Sequence, residues 1–379
     1  MKTINETYEI ALKDKKVEVI HKGYKSLNNN SLRDLKEVII ESINRDKNMK
    51  KILVTGAGGF IGGHLVSHLL SQGKEVVCAD IKPLEMWFQS FDQCNNFSLD
   101  LKEKENCLKV TKGVAYVYNM ACNMGGMGYI ENNKAECMLS VLINTNLLSS
   151  CVTNNVEKYF FSSSACVYNA SKQNKNFISD LKESDAYPAD PEDGYGWEKL
   201  FSERMCRHFT EDFGLQTRVA RYHNVYGPLG TFDGGREKAP AALCRKIIEA
   251  KFNNATSIDV WGDGEQTRTF MFIEDCIIGT EKIFNSKIQE PINLGSNEQV
   301  SINQMIAIIE DIANIKLEKK YLLDKPLGVR GRSSDNTKIK KELNWSPSIK
   351  LQTGLERTYN WIYQSIKSGE NTKKFINKY

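Results

Sequence analysis

Long apolar runs are lacking in this chain. No stretch of its 379 residues approaches the ~18 consecutive apolar residues that crossing a bilayer requires. The opening residues, MKTINETYEIALKDKKVEVI, also lack the apolar core of a secretory signal peptide. We therefore expect a cytoplasmic protein without a membrane partner.

Paired cysteines are lacking as well. The ten cysteines are dispersed along the chain, with no C-x-x-C pair. Neither a zinc site nor a disulfide framework is indicated, and we predict no metal. Reduced thiols that fill the core as small hydrophobic side chains are the natural interpretation. A functional role for any of them, including Cys166, has to be weighed against that interpretation.

Concentrated charge is the third feature that is missing. The net charge of +4 is small for this length and is not clustered into a basic stripe, so we expect no nucleic-acid partner. The composition is otherwise that of a soluble globular protein, with 41% hydrophobic and 26% charged residues. The length suits one large α/β domain or two smaller domains that share a cleft.

Residues 1–48 differ in composition from the rest of the chain, because they are rich in Lys, Glu and Asn. Within them, the stretch SLRDLKEVIIESINRDK places five apolar residues at helical spacing: Leu32, Leu35, Val38, Ile39 and Ile43. We predict an N-terminal helical extension that packs on the main body or on a partner subunit. Nothing in it indicates catalysis.

From Lys51 the pattern changes to short apolar strands that alternate with helices. The strand candidates are KILVTG (51–56), EVVCAD (75–80), AYVYNMA (115–121), KYFFSSS (158–164) and TRVARY (217–222). Such alternation predicts an α/β fold with a doubly wound, mostly parallel sheet and right-handed crossovers. We assign residues 49–225 to one domain with this doubly wound (Rossmann) fold.

After residue 225 the alternation becomes irregular. Short strand candidates, SIDVWG and PINLGS, mix with helices near 239–251, 302–315 and 354–368. We assign residues 226–379 mainly to a smaller substrate-binding domain, with some segments returning to the Rossmann domain. This domain is expected to cap the edge of the sheet at which ligands bind in such folds.

The stretch TGAGGFIG lies between the first strand of this series and its helix. Gly56 permits a tight turn, Gly59 lets the backbone approach a pyrophosphate, and Gly62 allows the helix to pack closely. Phe60 and Ile61 lie within the same motif, where the helix N-terminus offers N–H donors. A lone glycine triplet is a weak signal, but here it follows a strand and opens a helix. We predict a dinucleotide site.

Two acidic residues extend this prediction. Asp80, at the end of the second strand, is placed to bond the ribose hydroxyls and to repel a 2′-phosphate, so NAD is preferred over NADP. Asp100, in SLDLKE, lies where the adenine could be contacted. An ordinary solvated loop acid is the alternative for Asp100.

The stretch YGWEK places Tyr195 and Lys199 on one face of a helix. With Ser164 at the end of an earlier strand, they form a candidate redox triad. Lys199 and a positively charged nicotinamide are expected to lower the pKa of Tyr195, so that a phenolate takes a proton from a substrate alcohol held by Ser164. The alternative is a structural tyrosine and a solvent-exposed lysine.

These motifs together resemble the extended short-chain dehydrogenase/reductases that act on nucleotide sugars. NVYGP (224–228) and RTFMFIEDC (268–276) fit the same group, over roughly residues 51–365. Five further blocks resemble the plant GDP-mannose 3,5-epimerases: NMGGMGYI (123–130), SSACVY (163–168), GGREKAPAALCRK (234–246), WGDGEQTRTF (261–270) and GVRGRSSDN (328–336).

The resemblance implies an NAD-dependent epimerase that acts on GDP-mannose. The hexose would be oxidised at C4, epimerised at the acidified C3 and C5, and reduced again, so that GDP-L-galactose and GDP-L-gulose are the implied products. By resemblance, Cys166 and Lys238 are the acid/base groups of the epimerisation. From the sequence alone, a buried structural thiol and a salt-bridged surface lysine remain the alternatives.

The resemblance also implies a set of substrate contacts. They are Gly125, Gly126, Ser164, Cys166, Asn224, Glu237, Lys238, Ala239, Lys246, Gln266, Thr267, Arg268, Arg330 and Arg332. Arg268 and Arg332 are the natural clamps for a diphosphate, because their forked donors match phosphate oxygens. Arg330 lies close enough in sequence that either it or Arg332 could point inward.

The chain departs from the family pattern at two positions of the redox helix. Trp197 is bulkier than the aliphatic residue that is usual, and Gly194 replaces a small non-glycine residue. Another GDP-hexose or GDP-heptose epimerase, or another 4-keto-sugar enzyme, is therefore the nearest alternative. A dehydratase is disfavoured, because Ala165 and Cys166 stand where an acidic residue is expected.

Two further predictions concern assembly and activity. The apolar helices at 134–153 and 197–213 indicate a homodimer built on a four-helix contact. A non-catalytic nucleotide-binding scaffold is the alternative from a different class of protein. The intact set of Ser164, Tyr195 and Lys199 disfavours it.

Overall fold

The computed structural model describes residues 8–13, 16–21, 50–326, 328–369 and 372–376. The chain divides after Lys50 into two compact units. In the first, β1 (Tyr8–Lys13) and β2 (Lys16–His21) pair as an antiparallel hairpin. The sequence pattern predicts a helical extension and does not predict this hairpin. The helix predicted over residues 31–47 lies outside the described residues.

A seven-stranded sheet forms the centre of the second unit, in the order β13–β8–β7–β6–β3–β4–β5. Its strands are β3 (Ile52–Thr55), β4 (Val76–Asp80), β5 (Asn95–Ser98), β6 (Tyr116–Asn119), β7 (Lys158–Ser164), β8 (Gln216–Tyr222) and β13 (Ile292–Leu294). All six pairings are parallel. The prediction of a doubly wound parallel sheet is confirmed.

Eleven α-helices lie among the described residues. They are α1 (Phe60–Ser71), α2 (Lys104–Thr111), α3 (Met127–Asn132), α4 (Lys134–Met138), α5 (Ser140–Thr153), α6 (Asp193–Phe213), α7 (Ala239–Phe252), α8 (Ile273–Asn285), α9 (Ile302–Ala313), α10 (Thr337–Leu343) and α11 (Leu351–Ser368). The helices predicted near 239–251, 302–315 and 354–368 correspond to α7, α9 and α11.

Both faces of the sheet are buried, which explains why its strands are nearly continuous apolar runs. Successive residues of β3 point to opposite faces. Leu53 belongs to the core formed with α2, α5 and α6, whereas Val54 belongs to the core formed with α1 and α8. The carboxyl ends of the strands therefore remain at one edge, where the chain leaves the sheet.

Three two-stranded sheets complete the second unit. β10 (Ser257–Trp261) pairs with β15 (Glu318–Leu322), β11 (Thr267–Thr269) with β14 (Gln299–Ser301), and β9 (Val225–Tyr226) with β12 (Met271–Phe272). Although β13 lies in the C-terminal part of the chain, it joins the main sheet beside β8. Residues 51–379 form one compact unit, and a domain boundary at residue 225 stays a prediction.

One helical stretch among the described residues, Lys134–Thr153, is long and apolar enough by length and composition to cross a membrane. It packs against α2 and α6. Asn144 is buried within it, and the Tyr159 hydroxyl donates a hydrogen bond to its Oδ1 at 2.8 Å. These contacts are typical of a helix in a protein core.

Candidate active site

The glycine loop between β3 and α1 is tightly closed. Gly56 has a φ of +65°, and a Cβ there would lie 2.8 Å from the Met120 carbonyl carbon. A Cβ at Gly62 would overlap the Gly56 carbonyl oxygen, and a Cβ at Gly59 would lie 3.1 Å from that same oxygen. Because no side chain fills this turn, a pyrophosphate can reach the N–H groups that open α1 at Phe60 and Ile61. The loop therefore fits the NAD that the sequence predicts.

Asp80 ties the end of β4 to this loop. Its Oδ2 accepts a hydrogen bond from the Gly58 N–H at 3.0 Å, and its Oδ1 accepts one from the Lys82 N–H at 3.0 Å. Burial raises the pKa of Asp80, and Lys82 opposes that shift. Lys82 also donates from Nζ to the Gly58 carbonyl at 2.7 Å. It is a residue of this site that sequence reasoning missed.

Asp100 lies just beyond β5, next to the end of β4, because the Leu99 N–H donates to the Asp80 carbonyl at 2.9 Å. Its Oδ1 accepts from the Lys102 N–H at 2.9 Å, and its Oδ2 lies 3.6 Å from Lys102 Nζ. These are the contacts of a loop carboxylate. Its contact with adenine stays a prediction.

The three predicted redox residues come together where β7 ends and α6 begins. Tyr195 and Lys199 are buried, Lys199 to 1% exposure. The Lys199 Nζ lies 5.6 Å from the centre of the Tyr195 ring and 4.7 Å from that of Phe161. A hydrogen bond with Ser164 acts on the Tyr195 hydroxyl. Their role in oxidising an alcohol stays a prediction.

The protein groups alone hold Tyr195 in its neutral form. Burial raises its pKa well above the ordinary value, and the Cys122 and Cys166 thiols act in the same direction. Burial opposes the charge of Lys199, but Cys122 and Glu198 raise its pKa above the ordinary value. The expected lowering of the Tyr195 pKa depends on Lys199 together with a bound nicotinamide, and it stays a prediction.

Cys166 lies in the one-turn 3₁₀ helix that follows β7, Ala165–Val167. Its N–H donates to Ser164 Oγ at 3.2 Å, and its side chain is 7% exposed. The helix α6 packs closely on this turn, because a Cβ at Gly196 would lie under 3.0 Å from the Cys166 carbonyl oxygen. Cys166 is therefore held beside Ser164 and Tyr195, and its acid/base role stays a prediction.

The guanidinium of Arg332 contacts the Cys166 thiol, with Nη1 at 3.5 Å from Sγ. Its Nε donates to Gln173 Oε1 at 2.7 Å, and its Nη2 donates to Glu192 Oε2 at 2.7 Å. Burial raises the pKa of Cys166, Glu192 raises it further, and Arg332 opposes both. Gln173 and Glu192 are further residues that sequence reasoning missed.

Arg332 and Arg330 point in different directions, because the segment that carries them pairs with Thr267. The Thr267 N–H donates to the Arg330 carbonyl at 2.9 Å, and the Arg332 N–H donates to the Thr267 carbonyl at 3.2 Å. Arg330 forms an ion pair with Asp263 at 3.0 Å, whereas Arg332 is 3% exposed beside the thiol. Arg332 is thus the inward-pointing arginine. Its contact with a diphosphate stays a prediction.

Lys238 immediately precedes α7 and is half-buried. The segment before it packs on Gly126, just before α3, since the Gly126 N–H donates to the Arg236 carbonyl at 3.0 Å. A Cβ at Gly126 would overlap the Glu237 carbonyl oxygen. Burial lowers the pKa of Lys238, and the Cys166 thiol opposes that shift. The fold thus brings Gly126, Lys238 and Cys166 into one region.

The remaining predicted contacts lie around this region. Asn224 has a φ of +44° and donates from Nδ2 to the Thr269 carbonyl at 3.0 Å. Gln266 is buried, and its Oε1 meets no hydrogen-bond donor within the described part of the chain. Burial lowers the pKa of Arg268 to about 10.

Several predicted residues are engaged with the protein itself. Glu237 Oε2 accepts from the Gly235 N–H at 2.7 Å, and Lys246 Nζ donates to the Asp259 carbonyl at 2.8 Å. A Cβ at Gly125 would lie 2.8 Å from the Cβ of Tyr129. Ala239 is the first residue of α7. Their substrate contacts stay predictions.

The sequence profile of the NAD-dependent epimerase/dehydratase family matches residues 52–295. The chain is 46% identical over 319 residues to GDP-mannose 3,5-epimerase 1 of rice (Oryza sativa subsp. japonica), covering 84% of this chain and 82% of that protein. It is 44% identical over 319 residues to GDP-mannose 3,5-epimerase of Arabidopsis thaliana, covering 84% and 83%.

Solved structures share the fold. UDP-glucose 4-epimerase of Thermotoga maritima, solved with UDP-glucose, superposes with a TM-score of 0.75 at 23% identity, covering 83% of this chain and 99% of that one. UDP-glucuronic acid 4-epimerase of Bacillus cereus, solved with UDP-glucuronic acid and NAD, superposes with a TM-score of 0.68 at 28% identity, covering 83% and 99%.

Proposed function

The chain belongs to the NAD-dependent epimerase/dehydratase family, and we propose that it is an isomerase acting on GDP-mannose. Its product is GDP-L-galactose when C3 and C5 are both inverted, and GDP-L-gulose when only C5 is inverted. The plant proteins named GDP-mannose 3,5-epimerase, at 44–46% identity, support this substrate. NAD is the cofactor of the family, and the glycine loop with Asp80 fits it.

The observation that carries the proposal is a thiol and an amine next to the redox residues. Cys166 lies two residues after Ser164, and its N–H donates to Ser164 Oγ at 3.2 Å. The Cys166 thiol also opposes the lowering of the Lys238 pKa by burial. An enzyme that only oxidises an alcohol needs one acid/base group, here Tyr195. Epimerisation at the carbons that flank a ketone needs two more groups that exchange protons.

The redox half of the mechanism uses the residues on β7 and α6. NAD, when bound, would supply the hydride acceptor for C4 of the sugar. In the 4-keto form of the sugar, the hydrogens on C3 and C5 are acidic. Tyr195 would have to be a phenolate once NAD is bound, since only the phenolate can take the proton of the C4 hydroxyl and later return it. Ser164 holds that hydroxyl by hydrogen bonding. Lys199, charged and buried, stabilises the phenolate of Tyr195.

The epimerisation half uses Lys238 and Cys166. Burial favours the uncharged form of both, an amine for Lys238 and a thiol for Cys166. The pair therefore starts as a base and an acid. Lys238 takes the proton from one face of the ring carbon, and Cys166 delivers a proton to the other face. Exchange of protons with solvent then returns both groups to their starting forms.

Product analysis tests this proposal. We expect the purified protein, incubated with GDP-mannose, to form GDP-L-galactose and GDP-L-gulose, separated by chromatography and identified by NMR. The variant Cys166→Ser, of similar size but with a far more basic conjugate anion, should form neither. A product inverted at C4, a 6-deoxy-4-keto sugar or unchanged GDP-mannose would contradict the proposal.

We also propose a homodimer through α4, α5 and α6. Apolar side chains are exposed along these helices, with Trp197 at 46% and Phe201 at 54% on α6, and Met138 and Leu142 on α4 and α5. A second copy of the same surface would cover them. Sedimentation should give a dimer for the native chain and a folded monomer for Trp197→Glu; a native monomer would contradict the proposal.

Cytoplasmic location, without a membrane or nucleic-acid partner, is a further proposal that the composition supports. Cell fractionation tests it, and the protein should be recovered with the soluble fraction. Recovery with membranes would contradict it and would draw attention to Lys134–Thr153.

A further inference from the structure

Glu192 is a buried carboxylate of the active site to which no role has yet been given. It immediately precedes α6, and its N–H donates to the Cys166 carbonyl at 2.9 Å. The next residue, Asp193, has a φ of +45°, a backbone conformation uncommon for residues other than glycine. The entry to α6 therefore turns sharply at the point where Glu192 meets the turn that carries Cys166.

The Glu192 carboxylate is charged and only half satisfied. Arg332 and the Cys166 thiol lower its pKa against the effect of burial, so it is ionised. Its Oε2 accepts from Arg332, whereas Oε1 is buried and meets no hydrogen-bond donor within the described residues. An unsatisfied buried carboxylate oxygen costs stability. Packing alone therefore does not explain a glutamate here.

Arg332 connects Glu192 to the thiol. Two nitrogens of one guanidinium contact them, Nη2 at 2.7 Å from the Glu192 carboxylate and Nη1 at 3.5 Å from the Cys166 sulfur. Gln173 holds the remaining donor, Nε, at 2.7 Å. Because the guanidinium is planar and rigid, fixing one end of the fork fixes the other.

We propose that Glu192 is a positioning residue that holds the Arg332 guanidinium against Cys166, and that its negative charge offsets that guanidinium so that Cys166 rests as a thiol. An opposite charge within ~4–6 Å typically shifts a pKa by about 1–3 units. An unopposed Arg332 would therefore favour the thiolate. With Glu192 in place, the two charges nearly cancel at the sulfur, and burial decides for the neutral form.

Cys166 packs in one cluster with the Cys122 and Cys137 thiols and with Tyr129, and further charged or titratable groups lie near it. They are Tyr195 on α6, Lys238 before α7, Arg268 on β11, and Arg332 and Glu192 themselves. Arg268 adds positive potential, which favours the thiolate, whereas Lys238 adds none in its uncharged amine form. Glu192 is the carboxylate among them that opposes it.

The consequence for catalysis rests on the proposed function. If Cys166 gives a proton to the ring carbon while Lys238 takes one, the thiol must be protonated when substrate arrives. Glu192 secures that state without contact with the ring carbon. Its loss should lower kcat more than it raises KM, and should move the alkaline limb of the kcat profile to lower pH.

Alkylation of Cys166 tests the inference without substrate. The rate at which iodoacetamide modifies the Cys166 peptide is followed by mass spectrometry across pH, because only the thiolate reacts. For Glu192→Gln, which keeps the shape and removes the charge, the curve should move to lower pH by about one unit, which is about a tenfold faster reaction near neutrality. An unmoved curve in a folded Glu192→Gln protein overturns the inference, whatever the substrate proves to be.

Two further variants complete the test. Arg332→Gln leaves Glu192 unopposed and should move the alkylation curve to higher pH, opposite to the shift of Glu192→Gln. This variant decides the test if Glu192→Gln does not fold. An unmoved curve, or a move to lower pH, overturns the inference. The control is Glu203→Gln, which disturbs another buried Glu–Arg pair, joined to Arg221 at 2.7 Å. The alkylation curve of this control should coincide with that of the native protein. A shift in pH equal to that of Glu192→Gln would show a general effect of lost buried charge and would overturn the inference.

Discussion

The close approach of α6 to the turn that carries Cys166 is the most sensitive point of the site. A Cβ added at Gly196 would lie under 3.0 Å from the Cys166 carbonyl oxygen and 3.1 Å from the Pro191 Cβ. The obstacle is backbone, so α6 and the turn must separate. Tyr195 and Lys199 move with the helix, whereas Ser164 and Cys166 stay with β7.

The magnitude of the effect follows from this displacement. Overpacking of this kind destabilises a fold by about 1–3 kcal/mol. A misplacement of about 1 Å between reacting groups costs about 10²-fold in rate. We therefore expect Gly196→Ala to remain folded, to keep NAD bound at the glycine loop, and to lose about 10²-fold in kcat on GDP-mannose, measured by NMR of the products.

The matched control lies at the other end of the same helix. Gly214 ends α6 with a φ of +72°, and a Cβ there would meet no atom within 4 Å. Gly214→Ala should lose about 1–2 kcal/mol of stability from left-handed backbone strain alone and keep kcat. If Gly196→Ala retains kcat within about threefold of the native value, far less than the 10²-fold expected for a displaced triad, the account of how α6 positions the triad is wrong.

Three other predictions concern the cofactor and the proton-transfer pair. Asp80→Asn removes the charge that accepts the Gly58 and Lys82 N–H groups. Because a hydrogen bond to a charged group is worth about 1.5–3 kcal/mol, NAD binding should weaken about tenfold. Unchanged NAD affinity by calorimetry would contradict the role of Asp80. Lys238→Met should abolish epimerisation while NAD stays bound, and a rate near the native one would refute its assignment as base. The profile of kcat against pH should be bell-shaped. The rate falls at low pH because Lys238, whose pKa is lowered by burial, becomes an ammonium, and it falls at high pH because Cys166, whose pKa is raised by burial, loses its proton. A kcat that does not fall at high pH would contradict the acid role of the thiol.

The parts of the fold that the sequence predicts are those in which local pattern and burial agree. The strands β3, β4, β6, β7 and β8 are apolar runs because both faces of the sheet are covered, and the glycine loop follows from positions where a Cβ does not fit. The edge strand β5 was missed, because NNFS carries one large apolar residue, Phe97, and reads as a loop.

The parts of the site that were missed depend on contacts between distant segments. Glu192 belongs to the acidic run PADPEDG, which reads as solvated, yet it meets Arg332 at a separation of 140 residues. The burial that raises the pKa of Tyr195 could not be predicted either, because the spacing of Tyr195 and Lys199 shows that they are neighbours on a helix but not how deeply they are buried. Sequence spacing gives neighbours along a helix, whereas desolvation is a property of the whole fold.

Deuterium incorporation from solvent tests the central claim most directly. GDP-mannose is incubated with the protein in D₂O, and the recovered nucleotide sugars are examined by NMR. The account predicts deuterium at C3 and C5 of the inverted products with the native protein and no inverted product with Cys166→Ala, in which Lys238 can return label only to the face it came from. Cys151→Ala, which removes a buried thiol of the core beside α2, should form labelled inverted products normally. Inverted products of the native protein without label at both carbons, or undiminished formation of inverted products by Cys166→Ala, would contradict it.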